Sequence, residues 1–160
     1  MRSKAVTLAL VAATTGGVVA APAAQASDRG LQKTVVRYEN RLTPLAKSFA
    51  KADKALDKAP DTNAASAAAG AFRKGLHAYK LALVPIKTES TQGASGKKQM
   101  LTAIREFDLG LVQYQKLLDK VAAGADKSSL KSTFVTLNKR IAAAADDEAA
   151  ALKTLKISSR

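Results

Sequence analysis

The chain has 160 residues, with 26 Lys or Arg against 13 Asp or Glu, which gives a formal net charge of +13. It contains no cysteine, which excludes disulfides, thiolate metal sites and cysteine redox chemistry. The excess of positive charge predicts attraction to polyanions.

The N-terminus is predicted to be a cleavable signal peptide. Arg2 and Lys4 form a basic start, residues 5–21 are small and apolar, and Ala24-Gln25-Ala26 is a small-x-small cleavage signal. We expect cleavage after Ala26, which divides the chain into a signal peptide at 1–26 and one domain at 27–160. The mature protein is expected to be secreted, extracellular or associated with the cell wall, without a transmembrane span.

Four segments of the mature chain repeat apolar residues at alternating steps of three and four, the spacing of helices packed along a seam. All seven aromatic residues fall on these repeats. Short connections favour antiparallel neighbours. The predicted fold is therefore all-α, an antiparallel up-down-up-down four-helix bundle with helices at about 29–59, 62–88, 97–123 and 127–157.

Proline and glycine interrupt this pattern at a few places. Pro44 lies inside the first helix, which predicts either a kinked continuous helix or a break capped by Thr43; the uninterrupted apolar phase favours the kink. Residues 90–96 are rich in Ser, Thr and Gly and are predicted to form a loop. Gly75 and Gly110 fall near the level of Pro44, where missing side chains could leave a gap.

The aromatic residues suggest one candidate ligand site. Phe49, Phe72, Tyr114 and Phe134 are expected to form one layer of the core, with one side chain from each helix. Flat apolar ligands such as haem or a quinone fit between the helices of bundles. Aromatic residues also fill cores with no ligand at all, and this interpretation is preferred.

Glu148 is the one charged residue on the fourth apolar repeat. A carboxylate buried there must be paired or hydrated, and Tyr38, Arg41 or Arg37 of the first helix could supply the partner. This would create a buried polar spot at one end of the bundle. Alternatively, the apolar phase shifts after Ala144 and turns Glu148 outward.

The first helix carries a one-sided basic face. Seven cations fall within about 140° of arc opposite the apolar seam, at ~100° per residue. They are Lys33, Arg37, Arg41, Lys47, Lys51, Lys54 and Lys58. Like charges on one face repel each other, which favours an anionic partner such as cell-wall polymer, lipid headgroups or extracellular nucleic acid.

The sequence offers little that is typical of an enzyme. No nucleophile elbow, phosphate loop or metal-ligand cluster is present. The helical periodicity places the single histidine, His77, on the outer face of its helix. Asp146, Asp147 and Glu148 occupy consecutive helical positions, so their side chains point in different directions. We therefore expect no catalytic residue, no metal and no cofactor.

Three functional hypotheses follow. The leading one is a secreted, non-enzymatic helical protein that binds an anionic partner through its basic face. A second is a carrier of a small apolar or aromatic ligand in the core. A third is an interaction subunit or inhibitor of another secreted protein, with an apolar patch supplied by Leu101, Leu109, Val112 and Leu117.

Overall fold

The structure, a computed structural model, describes residues 28–56, 61–125 and 127–157, without the side chains at positions 127, 128, 131, 134 and 138. The predicted signal peptide, Lys58 and the side chain of Phe134 therefore lie outside the described residues.

The regular structure of the described chain is all helical, with no strand, so the prediction of an all-α protein is confirmed. Its helices are α1 (Arg29–Ala55), α2 (Thr62–Leu83), α3 (Thr91–Ala122) and α4 (Lys131–Thr154), with a short 3-10 helix at Lys127–Leu130 before α4. Each helix packs against the next along the chain. None of these helices, over the residues described, combines the length and hydrophobicity needed to cross a membrane.

The four apolar repeats supply the core. The residues at these positions that are less than a tenth exposed are Leu31, Val35, Leu42, Phe49, Ala69, Phe72, Leu76, Tyr79, Leu83, Met100, Ile104, Phe107, Leu111, Tyr114, Leu118, Leu130, Leu137, Ile141, Ala144, Ala151 and Leu155. Their burial is the main stabilising contribution to the fold. In α1, Glu39 and Ala46 lie deeper than their neighbours Tyr38 and Leu45, which are only partly buried.

Helix α1 runs through Pro44 without a break. The proline removes one backbone hydrogen bond and crowds the carbonyl of the preceding turn. Leu42 and Phe49, on either side of it, are both buried in the same core, so a continuous helix keeps both in contact with their neighbours. Thr43 is not a helix cap; its hydroxyl donates to the Glu39 carbonyl at 2.8 Å.

Helix α3 begins at Thr91, six residues before the expected start near residue 97, so the loop predicted at 90–96 is mostly helical. Ser90 caps the helix, since its hydroxyl oxygen accepts from the Gly93 amide at 2.8 Å. A side chain at Gly93 would overlap the Asp28 carboxyl, and one at Gly96 would overlap Leu155. The two glycines therefore permit close packing against these residues. Their presence gives the segment the composition of a loop although it is helical.

Helix α2 ends at Leu83, earlier than the expected boundary near residue 88. Val84 still has helical backbone angles, but Pro85 has no N–H for the next helical hydrogen bond and its ring crowds the carbonyl one turn back, so it stops the helix and does not bend its last turn. The gap expected near Gly75 and Gly110 is absent. A side chain on Gly75 would approach Leu42 to 2.7 Å, and one on Gly110 would approach Ile141 to 3.2 Å.

Candidate functional site: the basic face and buried acids of α1

The basic face of α1 is exposed along the whole described helix. All six of its described cations are exposed. Within the described ranges, none of the six forms an ion pair with another residue. Its members are Lys33, Arg37, Arg41, Lys47, Lys51 and Lys54.

The two acidic residues of α1 turn away from that face. Glu39 is 8% exposed and lies in the core. Asp53 is half-buried and accepts a hydrogen bond from the Tyr114 hydroxyl of α3 at 2.7 Å. Burial and the neighbouring Asp53 carboxylate both raise the pKa of Tyr114 above its usual value. The carboxylates of α1 thus do not neutralise the cations on its exposed surface.

Tyr38 supports two members of the basic face. The guanidinium carbons of Arg37 and Arg41 lie 5.2 and 5.4 Å from the centroid of its ring, within the range of cation–π attraction. The ring also stacks on Tyr79 with centroids 5.0 Å apart and an interplanar angle of 1°. In the described chain, no ion pair or hydrogen bond connects Glu148 to these α1 residues, so the partners expected for Glu148 are not the ones found.

Glu148 instead shares a buried space with Glu39 of α1 and Tyr79 of α2. These three side chains line a cavity of about 10 Å³, which has room for roughly one water molecule. The remaining walls are apolar and include Leu42, Met100 and Phe107. Neither Glu39 Oε1 nor the Tyr79 hydroxyl has a hydrogen-bond partner among the described residues.

The two carboxyl groups resist ionisation. Burial, and then repulsion from Glu39, raise the pKa of Glu148 to about 9. Burial also raises the pKa of Glu39, although the nearby Glu148 and Tyr79 side chains act in the opposite direction. Burial and the two carboxylates raise the pKa of Tyr79 as well. At neutral pH the pair therefore holds at least one proton.

Three of the four residues of the expected aromatic layer are in contact. The ring centroids of Phe49 and Phe72 are 6.3 Å apart, and the Phe49 and Tyr114 rings meet edge to face at 4.9 Å. Phe72 also contacts Phe107, with centroids 6.3 Å apart. The cavity that Phe72 and Phe107 border has only about 10 Å³, whereas ligand pockets have roughly 300 Å³ or more. No haem- or quinone-sized ligand fits there.

The remaining candidates, for a metal site and for an apolar interaction patch, do not come together in the described residues. His77 is exposed, and the described residues contain no group of three or more His, Asp or Glu that could hold a metal ion. Of the off-seam apolar residues of α3, Leu117 is buried, Leu101 and Val112 are half-buried, and Leu109 is 38% exposed. These four residues do not form an exposed apolar patch.

Glu39 was not predicted as a core residue because the apolar repeat of α1 was assigned through Tyr38, which is only partly buried. The spacing does contain the signal, since Glu39 lies four residues after Val35 and three before Leu42. A charged residue at such a position is rarely buried without a partner, and here the partner is another acid.

Comparison with known proteins adds no family. The sequence matches no family model and no curated protein, and the chain matches no solved structure.

Proposed function

We propose that this protein is a non-enzymatic, secreted four-helix bundle that binds an anionic polymer or lipid headgroups at the cell envelope through the basic face of α1. The proposal includes the up-down-up-down order of the helices, cleavage after Ala26 and the cell-envelope location. Extracellular nucleic acid is a less favoured partner, because the described aromatic residues are buried or half-buried and are not positioned to stack on bases.

The observation that carries the proposal is the uncompensated charge of α1. Six described cations are exposed and make no ion pair with described residues. The acids of the same helix are directed to the core or to Tyr114. The cations on this face repel each other, and binding of an anion relieves this electrostatic repulsion.

Binding to vesicles of phosphatidylglycerol and to purified anionic wall polymer tests the proposal. We expect binding at low salt that weakens steeply between about 0.05 M and 0.5 M NaCl, because the Debye length shortens over this range. Each lysine near an anionic surface contributes about 1 kcal/mol. Replacing four of them, as K33Q/K47Q/K51Q/K54Q, should therefore weaken binding at least about 100-fold.

A second quadruple variant with the same change in charge serves as the control. K74Q/K116Q/K139Q/K153Q removes exposed lysines from the other three helices and should weaken binding much less. Equal losses in the two variants would mean that net charge alone attracts the partner. Binding that is absent at low salt, or is insensitive to salt, would contradict the proposal outright.

A further inference from the structure

A second basic surface lies between α2 and α3, separate from the basic face of α1. It is an open groove of about 450 Å³. Four cations line it: Lys80 from the last turn of α2, and Lys97, Lys98 and Arg105 from the first half of α3. No acidic residue of the described chain lines the groove.

Lys97 is held in place by the segment that follows α2. Its ammonium group donates to the carbonyl oxygens of Val84 at 2.8 Å and of Ile86 at 2.6 Å. An ammonium group has three N–H donors, so one remains for a ligand. Because these two hydrogen bonds already fix the Lys97 side chain, binding of a ligand costs little further entropy of that side chain.

Arg105 is partly compensated. Its Nε and Nη2 donate to Glu106 Oε1 at 3.2 and 3.0 Å. The same carboxylate also pairs with Arg140, with 3.3 Å between Arg140 Nε and Glu106 Oε2. One negative charge is thus divided between two guanidinium groups. Lys80, Lys97 and Lys98 have no carboxylate partner among the described residues, so the groove keeps a large positive charge.

The other lining residues suit a phosphate attached to a carbon skeleton. Thr88 and Thr102 are half-buried, and their hydroxyls can donate to phosphate oxygens. Leu101 is half-buried and packs against the core at its inner side. A phosphate carries about 1.5 to 2 negative charges and three or more acceptor oxygens, which matches several donors lining one groove better than a carboxylate does.

We propose that this α2–α3 groove is a discrete binding site for an organic phosphate, such as a glycerol phosphate group. The phosphate oxygens meet Lys80, Lys97 and Lys98, and the carbon portion lies over Leu101. The site does not depend on the basic face of α1, so either proposal can fail without the other. The phosphate group can belong to a soluble molecule or to a lipid headgroup.

Titration of the ¹⁵N-labelled protein with glycerol 3-phosphate tests the site, with amide chemical shifts as the readout. We expect saturable shifts at Thr88 and along residues 94–105, with no comparable shifts along α1. The exposed pair K80Q/K98Q should weaken binding at least about tenfold, since two charge-assisted contacts are lost. The control pair K116Q/K139Q removes the same charge from exposed positions elsewhere and should change the affinity less than about twofold.

Phosphatidylglycerol vesicles form the second arm. If K80Q/K98Q weakens vesicle binding more than K116Q/K139Q does, the headgroup is a source of the phosphate; if only glycerol 3-phosphate is affected, the ligand is a soluble phosphate. Shifts that never saturate, shifts spread equally over α1, or equal losses in both pairs would overturn the proposal.

Discussion

Glu39 and Glu148 line the same buried cavity, although one lies on the first helix and the other on the last. Their carboxyl groups come together in apolar surroundings, with the Tyr79 hydroxyl as the third polar group. Among the residues that the structure describes, none that lines this cavity is basic. The pair is therefore stable when it holds a proton, and its ionisation opposes the packing of α1 and α4 around it.

The protein should become less stable as the pH rises from acid to alkaline. The pKa of Glu148 is raised from 4.5 to about 9 by folding. Its protonated form therefore contributes fully below pH 4.5, and the contribution is lost as the pH approaches 9. We expect the free energy of unfolding to fall by roughly 2–4 kcal/mol between pH 5 and pH 8, measured by urea denaturation.

The variant Glu148→Gln isolates this effect. A glutamine keeps the shape and cannot ionise, so the decline in stability with pH should become shallow and the variant should exceed the wild-type protein in stability at pH 8. Glu106→Gln, which removes a half-buried carboxylate paired with Arg105 and Arg140 outside this cavity, is the comparison and should keep the wild-type decline in stability between pH 5 and pH 8. An unaltered pH profile in Glu148→Gln would contradict the assignment.

Gly93→Ala should destabilise the protein strongly for so small a change. The added methyl group would overlap the carboxyl group of Asp28, which is itself 5% exposed and bonded to the start of α3. We expect a loss of about 1–3 kcal/mol, as for an overpacked core position. Thermal denaturation measures it.

Gly30→Ala is the matched substitution. Gly30 lies in the first turn of α1, and an added methyl group there would meet nothing within 4 Å. Because alanine is the better helix former, this variant should be as stable as the wild-type protein or more so. A similar loss in both glycine variants would indicate that the contact with Asp28 is not the cause.

Asp28 should stabilise α3 although it precedes α1. Its carboxylate accepts from the Glu89 amide at 3.1 Å and from the Ser90 hydroxyl. The Ser90 oxygen in turn caps the helix through the Gly93 amide. Asp28→Ala should therefore cost about 1–2 kcal/mol, and amide hydrogen exchange should speed up at the start of α3. If exchange changes only in α1, the link between the two helices is wrong.

The two buried tyrosines should respond differently to loss of the hydroxyl group. Tyr114 donates to the Asp53 carboxylate at 2.7 Å, so Tyr114→Phe should cost about 1.5–3 kcal/mol, as for hydrogen bonds to charged groups. The Tyr79 hydroxyl is buried with no hydrogen-bond partner in the described chain. Tyr79→Phe should therefore cost less than Tyr114→Phe in chemical denaturation at pH 5, and the reverse order would contradict these assignments.

The apolar spacing was enough to predict an all-α chain and most of its core. The helix positions of Leu31, Phe72 and Ile104 are set by periodicity, a property that each short segment carries by itself. Exposure of the basic face of α1 follows from the same phase. These features could be predicted because they depend on residues close together in the sequence.

What the sequence did not predict depends on residues far apart. Gly93 and Gly96 have the composition of a loop, and only their contacts with Asp28 and Leu155 explain why they lie in a helix. Glu39 was not predicted as a buried residue because Glu148, which lines the same cavity, belongs to another helix. The α2–α3 groove likewise depends on how Lys80 and Lys97 are brought together by packing.

The hydrogen bonds that connect the start of α1 to the start of α3 and the end of α4 also bear on the order of folding. Gln32 Nε2 donates to the Leu155 carbonyl at 2.9 Å, and Asp28 contacts the start of α3. Segments from the beginning, middle and end of the described chain thus meet in one place, and such distant contacts form slowly. A chain still being synthesised cannot form the hydrogen bond between Gln32 and Leu155 until residue 155 has emerged. In a partly synthesised chain, the start of α1 therefore lacks this contact.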